Sequence, residues 1–179
     1  MDFDAQPVLT GQLITLRPLR AEDYDDLYAV ASDRLIWEQH PAWDRFKPEV
    51  FRALFDEFIA TRGTLLATDR ATSQVIGSSR YHGYNEDRSE VEIGWTFLAR
   101  SHWGGRYNGE MKRLMLAHAF RFVATVVFMI GPDNIRSQTA ARRIGAVPAG
   151  SRPNGRGSMS LAFTLSREQF ATGLGAPPA

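Results

Sequence analysis

Over residues 12–17 Leu13, Thr15 and Arg17 share one side and Ile14 and Leu16 the other, until Pro18 closes the run, the pattern of a first strand. From 21 to 31 the period changes. Tyr24, Leu27, Tyr28 and Ala31 recur at i, i+3, i+4 and i+7, with Glu22 and Asp23 in the first turn, which predicts an amphipathic helix. Residues 36–46 are aromatic but irregular. Pro48 then suits the first turn of a second helix, with Val50, Phe51, Leu54, Phe55 and Phe58 as its buried stripe. Strands return at 64–68 and 75–81, joined as a hairpin by the polar turn 70–73. In a fourth strand, 91–98, Val91, Ile93, Trp95 and Phe97 fall on one face and Glu90, Glu92, Gly94 and Thr96 on the other, so one side packs and the other can line a pocket. Residues 108–123 form the longest helical pattern, apolar at Met111, Leu114, Met115, Ala119 and Phe122. The branched run 126–130 suits a strand buried on both faces. Asn134 is a good N-cap for a short helix ending at Gly145, and strands at 147–151 and 158–165, parted by the turn-rich 152–157, complete the order.

Strand, two helices, three strands, helix, strand, helix, two strands describe a mixed α/β or α+β domain with crossovers in its second half. No repeat or linker interrupts residues 1–172, which form one domain, and 173–179 are expected to be a disordered tail. A length of 179 fits one domain and not two. The lack of cysteine excludes a disulfide scaffold, a thiolate nucleophile and a Cys-ligated metal, and makes a reducing, cytoplasmic setting the default. The four histidines are scattered without ligand spacing, so no metal is expected. Nor is a membrane partner expected, since the longest nearly apolar stretch, 122–130, falls far short of the ~20 residues of a bilayer span, and residues 1–11 do not resemble a secretory signal.

Net charge is only +1, yet residues 100–156 hold ten basic and two acidic side chains, leaving −7 for the rest. Such a segment suits an anionic ligand, a phosphorylated small molecule or a nucleic acid, and a solvated helix face would look the same. Its arginines are interrupted by apolar helix positions and no recognition motif accompanies them, so nucleic acid is not the expected partner. The segment 95–110, WTFLARSHWGGRYNGE, runs from a strand through a glycine pair into a helix. Unpaired N–H groups and the positive end of the dipole make a helix N-terminus a phosphate cradle, which Gly104 and Gly105 would let phosphates approach closely. It is neither a Walker loop nor G-x-G-x-x-G, and an ordinary strand-to-helix connection would share the pattern. In the segment 131–145, GPDNIRSQTAARRIG, Asn134, Ser137 and Gly145 bound a helix that follows a buried strand.

Together these segments resemble the GNAT superfamily of N-acetyltransferases, in particular the branch of ribosomal-protein N-terminal alanine and serine acetyltransferases. The likeness spans nearly the whole chain: LITLRPLRAEDYDDLYAV near the start, EVEIGWTFLARSHWGG in the fourth strand, and N-x-x-S ahead of R-x-I-G. It implies a single GNAT-like domain, a mixed sheet flanked by helices and splayed between its fourth and fifth strands, with acetyl-CoA as cosubstrate in the cleft. The pantetheine arm would pair with Phe97, Leu98 and Ala99, and the pyrophosphate would lie on Trp103, Gly104, Gly105, Arg106, Tyr107, Asn108 and Gly109. Arg106 departs from the family's R/Q-x-x-G-x-G/A, which has glycine or alanine there, and Ser101 stands in place of its first residue. If position 106 demands φ > 0, arginine weakens binding; if its side chain points away it is tolerated, and a guanidinium could even pair with the phosphates.

The resemblance further implies acetyl transfer to a primary amine by direct attack in a ternary complex. Glu92, on the polar face of its strand, is the first choice for general base, directly or through water, and Glu90 the second; a salt-bridged surface glutamate would occupy the same position. Asn134 matches the asparagine that bonds pantetheine, although an N-cap alone would explain it. Ser137 falls where relatives place a hydroxyl near the CoA sulfur, or merely sits near its cap. Tyr107 is a phosphate contact or a core residue. Trp37, His40 and Trp43, with Phe46, lie where such enzymes build the acceptor wall, or else anchor the loop in the core. The acceptor would be a protein N-terminus or a small amine, and a homodimer is compatible with the chain. The competing reading, which Arg106 keeps open, is a GNAT-like module that binds CoA or a protein partner without turnover.

Overall fold

The computed structural model describes residues 3–154 and 158–173. In chain order it holds β1 (Leu9–Thr10), β2 (Ile14–Pro18), α1 (Tyr24–Ala31), α2 (Pro48–Thr61), β3 (Thr64–Asp69), β4 (Val75–Asn85) and β5 (Glu90–Leu98). There follow α3 (Arg106–Ala119), β6 (Thr125–Ile130), α4 (Ile135–Arg143), β7 (Val147–Pro153), β8 (Met159–Ser166) and α5 (Arg167–Thr172). The mixed α/β order expected from the pattern is present. The short β1 shifts the count, so the predicted fourth strand is β5. The helix α5 was not expected; Ser166 and Gln169 form a reciprocal capping box that starts it. Of the expected tail, residues 174–179 lie outside the described residues.

The strands form one sheet in the order β1-β2-β3-β4-β5-β6-β8-β7. All neighbours are antiparallel except β5 and β6. A parallel pair needs a crossover, and α3 supplies it. One face of the sheet buries Ile14, Leu65, Tyr81, Val91 and Ile93 with Met111, Met115 and Leu116 of α3. The other face packs Leu66 and Phe97 against Leu27 of α1 and Phe51, Phe55 and Phe58 of α2. Pro48 opens α2, as its position in the sequence predicts.

Two local features set the frame. Glu110, in the second turn of α3, is buried and accepts the backbone N–H groups of Gln12 at 2.8 Å, Leu13 at 2.7 Å and Ile14 at 2.9 Å, so one carboxylate fastens α3 to the entry of β2. Gly11 leaves the space it needs, since a Cβ there would stand 2.5 Å from the Glu110 carboxyl carbon.

The second feature corrects the alternation expected along β5. Trp95 has φ +49°, and here the register with β4 slips: Ser78 pairs with Phe97 but Arg80 with Gly94. This bulge inserts one residue and reverses the phase of the side chains. Val91 and Ile93 share a packed face as predicted, the one that α3 covers, whereas Trp95 and Phe97 turn to the α1–α2 face. Thr96 turns to α3 instead, where it meets Lys112.

Before the bulge is reached, the sheet opens on its other side. β5 and β6 pair only over Glu90, Val91 and Glu92 with Thr125, Val126 and Val127. The strands then part, leaving the fork expected between the predicted fourth and fifth strands.

Candidate active site

At the mouth of the fork the chain passes from β5 into α3 through a loop in which Gly104 and Gly105 have φ of +103° and +111°. Side chains would find open space at both positions, so it is the backbone conformation that calls for glycine. Gly105 is the N-cap of α3 and no side chain caps the helix, which leaves the first-turn N–H groups available to an anion. Arg106 is the first helical residue, outside the left-handed region, so the strain that an arginine would have met at φ > 0 is absent. Its side chain is exposed. Asp69 anchors the loop from β3: its carboxylate accepts the Tyr107 hydroxyl at 2.9 Å and lies 3.2 Å from His102 Nε2. These bonds, that of Tyr107 foremost, and the Ala71 amide hold the Asp69 carboxyl below the usual range. Tyr107 is thus partly buried, packed against the core while its hydroxyl tethers the loop to Asp69.

The end of β5 presents hydrogen-bonding groups to the fork. Ala99 donates its N–H to Ile76 O at 2.8 Å, on the β4 side, so by alternation the polar groups of Leu98 point the other way. The Leu98 carbonyl accepts the indole N–H of Trp103 at 2.9 Å. The Arg136 guanidinium lies 4.3 Å from the Trp103 ring centroid and donates to Ile36 O at 2.8 Å, which joins the first turn of α4 to the aromatic stretch after α1. Burial lowers the pKa of Arg136, with Glu38 acting in the opposite sense.

Glu92 stands at the inner end of the fork, opposite His82 on β4 and Val127 on β6. Its carboxyl folds along the strand over Gly94, where an added Cβ would lie 3.0 Å from Oε1. Desolvation raises this carboxyl to about 7, against the pull of Arg80 and with a smaller push from Glu90. Arg80 is fully buried: Nη1 donates to Glu57 Oε1 at 2.8 Å, the guanidinium lies 4.5 Å from the Trp95 ring centroid, and Nη2 lies 3.2 Å from His82 Nδ1. An arginine only donates, so Nδ1 of His82 accepts and Nε2 carries the proton. Glu90 is bound to Arg152 of β7 at 2.8 Å. Below this cluster, Asp44, Arg45, Glu49, Leu54 and Glu57 line a groove of about 410 Å³.

The remaining predicted residues separate into groups. Phe97 is buried against the α1–α2 side, Ala99 is bonded to β4, and Leu98 alone of the three turns its polar groups to the fork, ahead of the loop from Trp103 to Gly109. Asn134 caps α4 by accepting the Ser137 N–H at 3.1 Å, and Ser137, partly exposed on that first turn, lies on the β6 side of the fork. Trp37 is buried, donates its indole N–H to Ala31 O at 2.7 Å and packs on Phe97 with centroids 5.0 Å apart. His40 accepts the Ala42 N–H at its Nδ1, and its Nε2 lies 3.2 Å from Arg45 Nη1. Trp43 stands apart from them, 57% exposed beneath Lys47. Arg80, His82, Glu57 and Lys112 were not singled out from the sequence. Lys112 had a signal, since with Met115, Leu116 and Ala119 it completes an i, i+3, i+4, i+7 stripe.

The profile of the acetyltransferase (GNAT) domain family matches residues 14–147. Among solved structures the chain resembles a GCN5-related N-acetyltransferase from Brucella melitensis, at 19% identity and a TM-score of 0.75 over 94% of this chain and 82% of that one. It also resembles spermidine N-acetyltransferase from Vibrio cholerae in complex with CoA and spermine, at 17% identity and a TM-score of 0.65 over 89% and 99% of the two chains. A third is RimJ from Mycobacterium smegmatis in complex with CoA-disulfide, at 17% identity and a TM-score of 0.66 over 89% and 85%. At these identities the likeness is one of fold. No curated protein matches the chain by sequence.

Proposed function

The chain belongs to the GNAT acetyltransferase family, and on that premise we propose that it transfers an acetyl group from acetyl-CoA to a primary amine by direct attack in a ternary complex. The observation that carries this reading is the fork: an open strand edge at Leu98 that runs into an uncapped helix N-terminus behind two left-handed glycines. Phe97, Leu98 and Ala99 would hold the pantetheine arm, and the amides of the loop from Trp103 to Gly109 the pyrophosphate. Asn134 and Ser137, at the start of α4, would complete the cofactor site from the β6 side. Acetyl-CoA supplies the activated acetyl group as a thioester.

In this reading Glu92 takes a proton from the acceptor ammonium, directly or through water, and burial tunes it to do so near neutral pH. Ser137 hydrogen-bonds the leaving sulfur. The groove at Asp44, Glu49 and Glu57 favours a cationic acceptor, a small amine or a protein N-terminus as in the ribosomal-protein branch.

Calorimetric titration with acetyl-CoA, followed by thiol release in the presence of an amine panel, tests the reading. The parent is expected to bind at micromolar concentration. Gly105→Ala must place a side chain at φ +111°, a strain of about 1–3 kcal/mol, so its affinity falls about tenfold or more. No binding by the parent overturns the assignment. Trp103→Phe keeps a ring under Arg136 but frees the Leu98 carbonyl. It should tighten acetyl-CoA binding by about two- to tenfold, the worth of one hydrogen bond that no longer has to be broken; equal or weaker binding means that the carbonyl is not used.

A further inference from the structure

Lys112 is 7% exposed and inward-facing on α3. Its Nζ donates to Thr96 Oγ1 at 2.6 Å and lies 5.4 Å from the centroid of the Phe128 ring. Desolvation lowers the amine to about 7, and among the described residues no opposite charge offsets it. Thr96 is on β5 and Phe128 on β6, both beyond Glu92 and Val127, the last pair that joins those strands. The amine therefore bridges β5 and β6 where their backbone bonds have stopped. Thr96 is also the residue that the bulge at Trp95 turns towards α3, and its hydroxyl shares a 2.7 Å hydrogen bond with Ser79 of β4. One lysine thus ties α3 to the bulge and, through it, to β4.

A buried amine without a counter-charge opposes folding, and an apolar side chain of similar length would relieve that penalty. Strained backbone such as that at Trp95 persists only where its surroundings over-determine it. We propose that Lys112 is a positioning residue for acetyl transfer, a strut that holds the bulge at Trp95 and Thr96 and the width of the fork. Its effect on turnover rests on the function proposed above; its effect on the bulge does not.

The test compares the full chain with Lys112→Met, Thr96→Val and the double variant, by thermal denaturation, amide hydrogen exchange and steady-state kinetics. Lys112→Met is expected to melt at or above the parent temperature, yet to exchange amides of residues 94–98 about tenfold faster. Its kcat should fall about tenfold or more while KM for acetyl-CoA stays within about twofold. Thr96→Val should show the same faster exchange and lower kcat, but melt below the parent because it leaves the buried amine without its acceptor, and the double variant should lose no more kcat than Lys112→Met. Parent-like exchange in Lys112→Met overturns the proposal, as do an additive loss of kcat in the double variant and a lowered melting temperature of Lys112→Met, which would make Lys112 an ordinary stabilising residue. If exchange quickens but kcat holds, the strut has no part in positioning and the proposal falls. If the parent acetylates no amine, the proposed function fails, and hydrogen exchange alone decides the strut.

Discussion

Glu92→Gln is expected to turn over about a hundredfold or more slowly than the parent, the usual worth of a general base, with acetyl-CoA affinity unchanged. The carboxyl is raised to about 7. A base acts in its ionised form, so kcat/KM of the parent should climb as pH rises through about 7, level off above it and fall away below it. The variant should show no such limb. Unfolding cannot mimic this outcome: a carboxyl raised by desolvation opposes folding when ionised, so the neutral amide leaves the chain at least as stable above that pH. Turnover within about threefold of the parent, or a limb that survives the substitution, would show that another group takes the proton.

The largest effect on stability is expected at Glu110. Glu110→Ala would leave the amides of Gln12, Leu13 and Ile14 without their acceptor. At about 1–3 kcal/mol for each unpaired group, some of it recovered by water at the partly buried ones, the loss is about 3–5 kcal/mol. That is a large part of the ~5–15 kcal/mol that holds an ordinary domain together, and corresponds to a melting temperature lower by roughly 10–15 °C. Glu110→Gln keeps one acceptor oxygen and should lose about half as much. Thermal denaturation followed by circular dichroism decides the matter, and a drop of less than about 3 °C for the alanine variant would mean that the three amides find other partners.

The glycine loop ahead of α3 was legible in the sequence because its determinants are local, whereas the fork was expected only from the family resemblance. Two glycines before a long helical pattern announce left-handed backbone, and a branched run after that helix announces a strand buried on both faces. Trp95 gave no such warning. Bulky aromatics seldom take positive φ, so strict alternation was the natural expectation for β5, and the slip that reverses its second half arises from pairing with β4. The candidate base was placed on its face correctly because it precedes the slip. Arg80 and His82 escaped notice because only the register with β5 sets them beside Glu92. The aromatic stretch after α1 was ambiguous for a different reason: burial in a core and exposure on a wall call for the same residue types, and only the folded chain separates Trp37 from Trp43.

The bond between Glu110 and the entry of β2 also bears on how the chain is made. The carboxylate follows its three amides by 96 to 98 residues. At a synthesis rate of about 5–20 residues per second, β2 leaves the ribosome about 5–20 s before its partner exists. β2 can pair with β1 and β3 as soon as they are made, but its entry is fastened only when α3 follows, so folding during translation cannot finish its N-terminal part in isolation. The interval in which Ile14, Leu16 and Leu65 lack the α3 residues that cover them is when a nascent chain of this design most needs a chaperone.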